Sequence, residues 1–444
     1  MASQKDIFEY IVIGTGPGGA PVARELAKAG KKVVMVEKGA YHKHLGFPVG
    51  GLVFDRMLLG ARTVEGVMVE RAITVGGTSI IYNGNVFEPP NFLLEKMGID
   101  FSPECKEIKK EIGVNVLPER FFSHTKSKGG QRMRDAAEKM GIPFTAQEKF
   151  IDPNKCKPGC DWCMMGCSRN AKWTTRVYVD DALKAGATLI HSAPVDKVLF
   201  NHNRSQAIGV RLGNGQEIMG DHVIVAAGGV GSPALLQRSG FKDPGSQFFM
   251  DPMNVLYATS KDSDGGTWQE TTFTHAIESF EHTDGFIIGN NGSLINWVLM
   301  NCGNAKSISE NWHKLFTIKR GMGLFIKLAE SSNGKVFAND KTSKTFTADD
   351  NRRLDKGTQI ATEILIKAGA KPSSISELRW VGGHPGGTVA MGEFVDQSFR
   401  FEVPNLYVCD ASVFPCSPGA PPTLALLGMS KLLGKMLLGQ VKTE

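Results

Sequence analysis

What this 444-residue chain lacks narrows its class before any motif is read. No run of about 18 apolar residues occurs, which argues against a membrane span. Its 51 Lys and Arg are interspersed with 45 Asp and Glu, giving a net charge of +6 without a basic stripe. Nucleic-acid binding needs such a stripe, so no nucleic-acid partner is expected. The opening MASQKDIFEY has no basic stretch leading into an apolar core and cleavage site, so the expected location is cytoplasmic. Internal repeats, low-complexity tracts and long linkers are also missing. The stretch 424–441 (LALLGMSKLLGKMLLGQV) is amphipathic and reads as a core helix rather than a membrane-surface one.

What is present begins at once. Phe8 to Ile13 (FEYIVI) is an apolar, β-rich run ending at Gly14, and Gly14-Thr15-Gly16-Pro17-Gly18-Gly19 fits the G-x-G-x-x-G frame. A helical pattern follows over 20–29, then a second apolar strand over 32–36 that ends at Glu37. In such a unit Gly14 makes the tight turn, Gly16 lets the backbone approach a pyrophosphate, and Gly19 lets helix and strand pack closely. The helix amino-terminus faces the anion. Glu37 can accept hydrogen bonds from ribose hydroxyls and would repel a 2′-phosphate, favouring FAD or NAD over NADP.

The opposite end carries a second set of motifs. His384-x-x-Gly387-Thr388-x-x-Met391-Gly392 is followed by Asn405-Leu406-Tyr407-Val408-x-Asp410-Ala411-Ser412-x-Phe414-Pro415, and then by Gly419-Ala420-Pro421-Pro422-Thr423. Between the ends lie Gly76-Gly77-Thr78-Ser79-Ile80-Ile81-Tyr82-Asn83-Gly84 and the stretch 221–236 (DHVIVAAGGVGSPALL). Together these resemble the glucose-methanol-choline (GMC) family of FAD-dependent oxidoreductases, over nearly the whole chain except residues 240–345. The resemblance implies an FAD contacted by Gly14, Gly16, Gly19, Glu37, Gly76, Gly77, Thr78, Ser79, Asn83, Ala227, Gly228, Asp410, Ala411, Pro422 and Thr423. Covalent members of the family link a histidine near the second flavin loop, and residues 76–95 contain none, so non-covalent FAD is expected.

The same resemblance implies the architecture. The fold class is α/β (α+β overall), a Rossmann-like FAD-binding domain interleaved with an antiparallel-sheet substrate domain. Residues 1–95, 168–245 and 385–444 are assigned to the first domain, 96–167 to a cap and cysteine segment, and 246–384 to the substrate domain. In the last of these, Asp264-Gly265-Gly266 and Gly289-Asn290-Asn291-Gly292 read as turns, and 348–368 reads as a long helix facing inward through Leu354, Ile360, Ile364 and Ile366.

Cys156-x3-Cys160-x2-Cys163-x3-Cys167 gathers half of the eight cysteines into twelve residues. Close thiolates repel unless a cation or cluster neutralises them, or unless they oxidise. The frame is one residue longer in its first gap than the ferredoxin run, and Pro158, Gly159 and Gly166 supply turns. Lys155, Lys157, Arg169 and Lys172 flank it and offset a cluster's negative charge. An iron-sulfur cluster, [4Fe-4S] in type, is the leading reading; zinc, a pair of disulfides and a bare reduced loop are the alternatives. Some sugar-oxidising members of the family carry such a cluster. Cys105, Cys302, Cys409 and Cys416 read as buried free thiols.

The resemblance makes His384 the catalytic base, taking the hydroxyl proton while the substrate carbon gives hydride to flavin N5. A neutral imidazole can accept that proton at pH 7. Where the family usually has a second His or Asn, this chain has Pro421, which offers no side-chain donor or acceptor. Either His384 works alone, or a group such as Asn83, Tyr82 or Ser417 supplies the second hydrogen bond, or the site no longer oxidises an ordinary alcohol. The leading function is a dehydrogenase acting on a carbinol (alcohol, polyol or sugar hydroxyl), or in reverse on a carbonyl, with electrons passed through the cluster to a redox partner protein or quinone. A hydroxynitrile-lyase-type enzyme and a non-catalytic electron-transfer flavoprotein are the competing readings.

Overall fold

A computed structural model of the chain describes residues 7–43, 45–46, 62–160, 162–292 and 312–441. Phe8–Ile13 forms a strand whose last four residues are buried, and the turn at Gly14 leads into a helix over Ala20–Lys28. Gly14 has φ +102°, and a Cβ there would sit 2.3 Å from the Ala226 carbonyl oxygen, so no other residue fits this turn. Strand Val33–Val36 then returns parallel to the first.

These strands belong to a seven-stranded sheet. Its order is Thr188–Ile190, Val33–Val36, Phe8–Ile13, Glu217–Val225, Ala207–Leu212 and Val195–Phe200, with Leu406–Val408 also paired to the end of Glu217–Val225. The last two on the main path are antiparallel, while the others around Phe8–Ile13 run parallel, as a dinucleotide-binding sheet requires. Leu406–Val408 brings the distant carboxy-terminal motif into the amino-terminal sheet. The fold class is therefore the mixed α/β architecture with a Rossmann-like flavin domain.

Helix Thr423–Leu437 buries every residue from Thr423 through Ser430, and an all-round apolar surface of this kind belongs in a core. It packs between helices Ala20–Lys28 and Ser102–Ile112. The Ser430 hydroxyl donates to the Gly18 carbonyl at 2.6 Å and accepts from the Val22 amide at 3.0 Å, tying the last helix to the glycine turn.

The second sheet has the order Met68–Val69, Ser376–Gly382, Pro252–Thr259, Gly321–Leu328, Phe286–Asn290, His275–Ile277 and Thr145–Ala146. It is antiparallel except for the parallel edge strand Met68–Val69. Two of its strands thus come from outside 246–384. Conversely, Phe101, Cys105 and Ile108, from the segment expected as a cap, pack in the first core. Gly289 and Asn290 are strand residues rather than a turn: a side chain on Gly289 would strike the Phe325 and Phe273 rings, so glycine there serves packing.

Helix Ala348–Lys367 covers this sheet, opened by a capping box in which Thr347 and Asp350 satisfy each other's backbone amides. Leu354, Ala361, Ile364 and Leu365 are buried, each large aliphatic contributing about 1.5–3 kcal/mol. Ile366, expected inward, is exposed, and Leu365 takes the core position at the proper helical spacing. Among the described residues no helix is long and apolar enough to cross a membrane.

Candidate active site

Two adjoining cavities meet between the sheets. The first, about 1380 Å³, is lined by Gly14, Gly16, Glu37, Gly77, Thr78, Ser79, Ala227, Gly228, His384, Asp410, Ala411, Pro422 and Thr423. The segments that carry them lie as far as 409 positions apart, from Gly14 to Thr423. Gly19 and Gly76 stand behind this lining. A Cβ on Gly19 would meet the Gly14 carbonyl at 2.1 Å, and the Gly76 amide donates to Thr15 Oγ1 at 3.1 Å. Gly18, which the motif leaves as a free position, is as tightly bound: a side chain would sit 2.1 Å from the Cys409 carbonyl oxygen.

The cradle fits an elongated dinucleotide. A Cβ on Gly16 would find only Gly77, at 3.8 Å, so the space beside this glycine is held open for something other than protein. Glu37 Oε2 accepts from the Thr15 amide at 3.0 Å and hydroxyl at 2.8 Å, and Oε1 accepts from the Gly39 amide at 2.8 Å. Burial raises this carboxyl above its ordinary pKa, and those three donors pull against the rise. Oε1 keeps a second lone pair for a ribose hydroxyl. At the other end Asp410 accepts from Gly228 N and Ser412 N, both at 2.8 Å, and from Ser232 Oγ at 2.5 Å, locking the carboxy-terminal loop to the turn after strand Glu217–Val225.

The second cavity, about 1090 Å³, shares Thr78, Tyr82, Gly383, His384 and Thr423 with the first. Its walls are Met68, Ile81, Met253, Val255, Phe273, Phe325, Leu378 and Val381, with polar groups from Glu70, Asn83, Asn85, Thr272, Asn291 and Lys327. Asn83 belongs to this space rather than to the first cavity, and Pro421 lines it too. His384 stands where the two volumes join.

The Nδ1 bond of His384 goes to Asp251 Oδ2 at 2.9 Å, not to Asn83, Tyr82 or Ser417. Tyr82 donates its hydroxyl to the Trp173 carbonyl at 2.7 Å. Ser417 acts one step back, donating to Asp251 Oδ1 at 2.9 Å beside the Gly419 amide at 2.8 Å. Lys327 Nζ completes the set at 2.8 Å from Asp251 Oδ2. Burial opposes ionisation of Asp251, yet the Lys327 ammonium and His384 bring its pKa below the ordinary value. An ionised carboxylate accepts, so the Nδ1 proton stays on His384 and Nε2 keeps its lone pair. Burial, then Lys327, pushes the imidazole pKa down to about 4, which leaves it neutral at pH 7.

Asp251 is held in an unusual backbone conformation, φ +54°. The buried Glu330 carboxylate pins it, accepting from Met250 N at 2.6 Å and Asp251 N at 3.2 Å, with Lys344 as counter-charge at 3.6 Å. One sign of this network is legible in the chain: Lys327 is the only charge in GMGLFIKL, a strand buried at every position. A lone buried lysine requires an acid nearby.

Cys156, Cys160, Cys163 and Cys167 line one small cavity. Gly159 and Gly166, with φ +68° and +88°, turn the chain between them. Burial raises Cys156 to about 12, the other three sulfurs adding to the rise; Cys163 rises to about 11 through burial, opposed by Lys172 and Lys149. Of the flanking cations, Arg169 and Lys172 line this cavity, and Lys172 is buried, donating to the Ile80 and Tyr82 carbonyls at 2.8 Å and to that of Cys163 at 2.5 Å. Lys155 instead pairs with Asp152 at the surface. Lys149, a second buried cation, donates to Asn85 Oδ1 at 2.9 Å. Among the described residues no group of three or more His, Cys, Asp or Glu is gathered so as to hold a metal ion. The described cysteines are all free; Cys105 and Cys409 are buried, Cys416 is half-buried, and Cys302 lies outside the described residues.

The parallel sheet, glycine turn and linked cavities define a dinucleotide-binding protein with a second, adjoining cavity. The chain belongs to the GMC oxidoreductase family, whose amino-terminal domain matches residues 49–253 and whose carboxy-terminal domain matches 319–430. Similar proteins include an uncharacterized GMC-type oxidoreductase of Mycobacterium tuberculosis, 25% identical over 98% of this chain and 76% of that protein. An uncharacterized protein of Methanocaldococcus jannaschii is 26% identical over 97% of this chain and 100% of its own length. A long-chain-alcohol oxidase of Arabidopsis thaliana is 24% identical over 98% of this chain and 69% of its own. As a GMC oxidoreductase the protein is an FAD enzyme.

Proposed function

We propose that the protein is a dehydrogenase that oxidises a carbinol bound in the second cavity, with His384 Nε2 taking the hydroxyl proton. The observation that carries this is the position of His384 at the junction of the two cavities, its Nδ1 anchored on Asp251. Bound non-covalently in the first cavity, FAD supplies the hydride acceptor. The protein's part is to exclude water, hold the carbinol and keep the base neutral. Asp251 fixes the tautomer and steadies the imidazolium that forms, and Lys327 keeps Asp251 ionised. Read backwards, the same groups protonate a carbonyl as it is reduced. Anaerobic mixing of the FAD-loaded protein with alcohols, polyols and sugars should bleach the flavin absorbance. Product formed without bleaching would select the lyase reading, and no response to any member would sink the proposal.

We further propose that Cys156, Cys160, Cys163 and Cys167 hold a [4Fe-4S] cluster that carries electrons to a partner protein or quinone. Support comes from four thiols facing one cavity and from two buried lysines beside them. Both lysines also brace the substrate cavity, Lys172 through the Tyr82 carbonyl and Lys149 through Asn85. Zinc is the alternative, a single ion that needs its sulfurs about 2.3 Å from one centre. A cluster spreads its thiolate bonds over separate irons. Anaerobically purified protein should contain three or four irons per chain, lost in Cys163→Ser; zinc alone would remove the relay.

A further inference from the structure

Glu70 follows the edge strand Met68–Val69, and its amide donates to the Gly382 carbonyl at 2.7 Å. This bond places the residue across from the segment that carries His384. Its side chain lines the second cavity, and Oε2 would lie 3.9 Å from a Cβ on Gly383, next to His384 in sequence. The carboxyl is deep in the molecule yet keeps accessible surface, because that surface faces the cavity. Among the described residues its oxygens have no hydrogen-bond partner or ion pair. The other buried carboxylates of this region, Asp251 and Glu330, have several each. Thr272, a residue of the same wall, also has a hydroxyl without a partner among the described residues, although that oxygen is buried from the cavity.

Unpartnered polar atoms in a largely apolar cavity are costly unless a ligand satisfies them. Burial pushes the Glu70 carboxyl up to about 7, Lys327 pulling in the opposite direction, so near neutrality both protonation states are present. A carboxyl can accept in one state and donate in the other, which suits a hydroxyl in either case. A cationic substrate group fits less well, since the Lys327 ammonium lines the same space.

We propose that Glu70 is a specificity-determining residue that binds a second hydroxyl of the substrate, remote from the carbinol served by His384, so that diols and polyols are preferred to simple alcohols. The inference rests on the dehydrogenase reading above but is tested separately from it. The probes are 1,3-propanediol through 1,6-hexanediol, each paired with the 1-alkanol of equal carbon number. Their binding to the FAD holoenzyme is followed by calorimetric titration and their reactivity by anaerobic flavin bleaching.

For at least one pair the wild-type protein should favour the diol by about tenfold or more, the scale of one net hydrogen bond. Glu70→Ala should bring that ratio within about twofold of unity, and the isosteric Glu70→Gln should retain part of it because the amide still hydrogen-bonds. A wild-type ratio near one for every pair overturns the assignment. So does a preference that survives in Glu70→Ala. Diol-selective binding lost in Glu70→Ala, without any bleaching, upholds the role of Glu70 and sinks the oxidation reading; bleaching with no diol preference does the reverse.

Discussion

Replacing Asp251 with Asn tests the core of the site. The two side chains have nearly the same shape, so the change removes charge and alters hydrogen bonding with little change in volume. In the wild type, Asp251 receives His384 Nδ1 at 2.9 Å, Lys327 Nζ at 2.8 Å, Ser417 Oγ at 2.9 Å and the Gly419 amide at 2.8 Å. An amide has only one oxygen to divide among these four donors, and its NH2 must point toward at least one of them. If the NH2 faces His384, the ring responds by placing its proton on Nε2, and the base loses the lone pair that it needs. The same exchange of tautomer disables the Ser-His-Asp triad when its Asp becomes Asn. A lost general base costs about a hundredfold to ten-thousandfold, or roughly 3–5 kcal/mol of barrier.

Stability should fall as well, for a separable reason. Lys327 is 1% exposed and Asp251 is fully buried, so removing the acid leaves an unpaired ammonium in the interior. Breaking a buried pair in this way costs about 3–5 kcal/mol. The double variant Asp251→Asn/Lys327→Met should recover most of that loss, because the orphan charge is gone, but not the rate. The assays are denaturant unfolding of the holoenzyme and anaerobic stopped-flow reduction of the flavin by a substrate from the screen. Reduction by Asp251→Asn within about threefold of wild type would refute the assignment of Asp251 as the positioning residue. Recovery of the rate in the double variant would refute the tautomer argument.

Three further outcomes follow from the same contacts. His384→Ala should slow flavin reduction at least about a hundredfold, and near-normal reduction would mean that the base lies elsewhere. His384 and His275 both have pKa values near 4, burial being the first cause of each, against 6.5 in the unfolded chain. The unfolded state therefore binds more protons between these values, so stability is fully present above pH 6.5 and is lost as pH falls toward 4. Unfolding midpoints should drop across that window, less steeply in His384→Gln; a flat profile would show that these rings are not buried neutral. Gly18→Ala puts a methyl group 2.1 Å from the Cys409 carbonyl oxygen, which should cost about 1–3 kcal/mol and lower the FAD recovered per chain, measured by absorbance after gel filtration.

The parts of the fold that could be read from sequence are those whose constraints are local. Gly14 is required by its own φ and by the neighbouring strand, and the run Phe8–Ile13 must be buried wherever it goes. The strand, turn and helix therefore stand within a residue or two of their expected bounds. Helix Ala348–Lys367 was legible for the same reason, although one inward position was assigned to Ile366 rather than Leu365. The second sheet was only half legible. Its edge strands Met68–Val69 and Thr145–Ala146 are two residues each, too short to show an alternation, and they are recruited by pairing with partners that lie far along the chain.

The same distinction explains the site. His384 belongs to a motif, so a role could be proposed for it, but the groups that would determine its chemistry are set by separation in the chain. Asp251 lies 133 positions before His384 and 76 before Lys327, and neither spacing has any periodic meaning. Pro421 marks a place where a family partner is missing without indicating what replaces it. Under the proposed mechanism the replacement comes by a different route: Asp251 sits behind the imidazole on its Nδ1 side, and the buried Lys327 holds that acid ionised. Under that mechanism a proline at position 421 is tolerable, because the Nδ1 bond fixes orientation and tautomer and leaves the cavity side to be shaped by other groups. The sequence could show that one polar partner was gone. Only the fold, by crossing Asp251 and Lys327 behind one histidine, gives the proposed base a way to do without it.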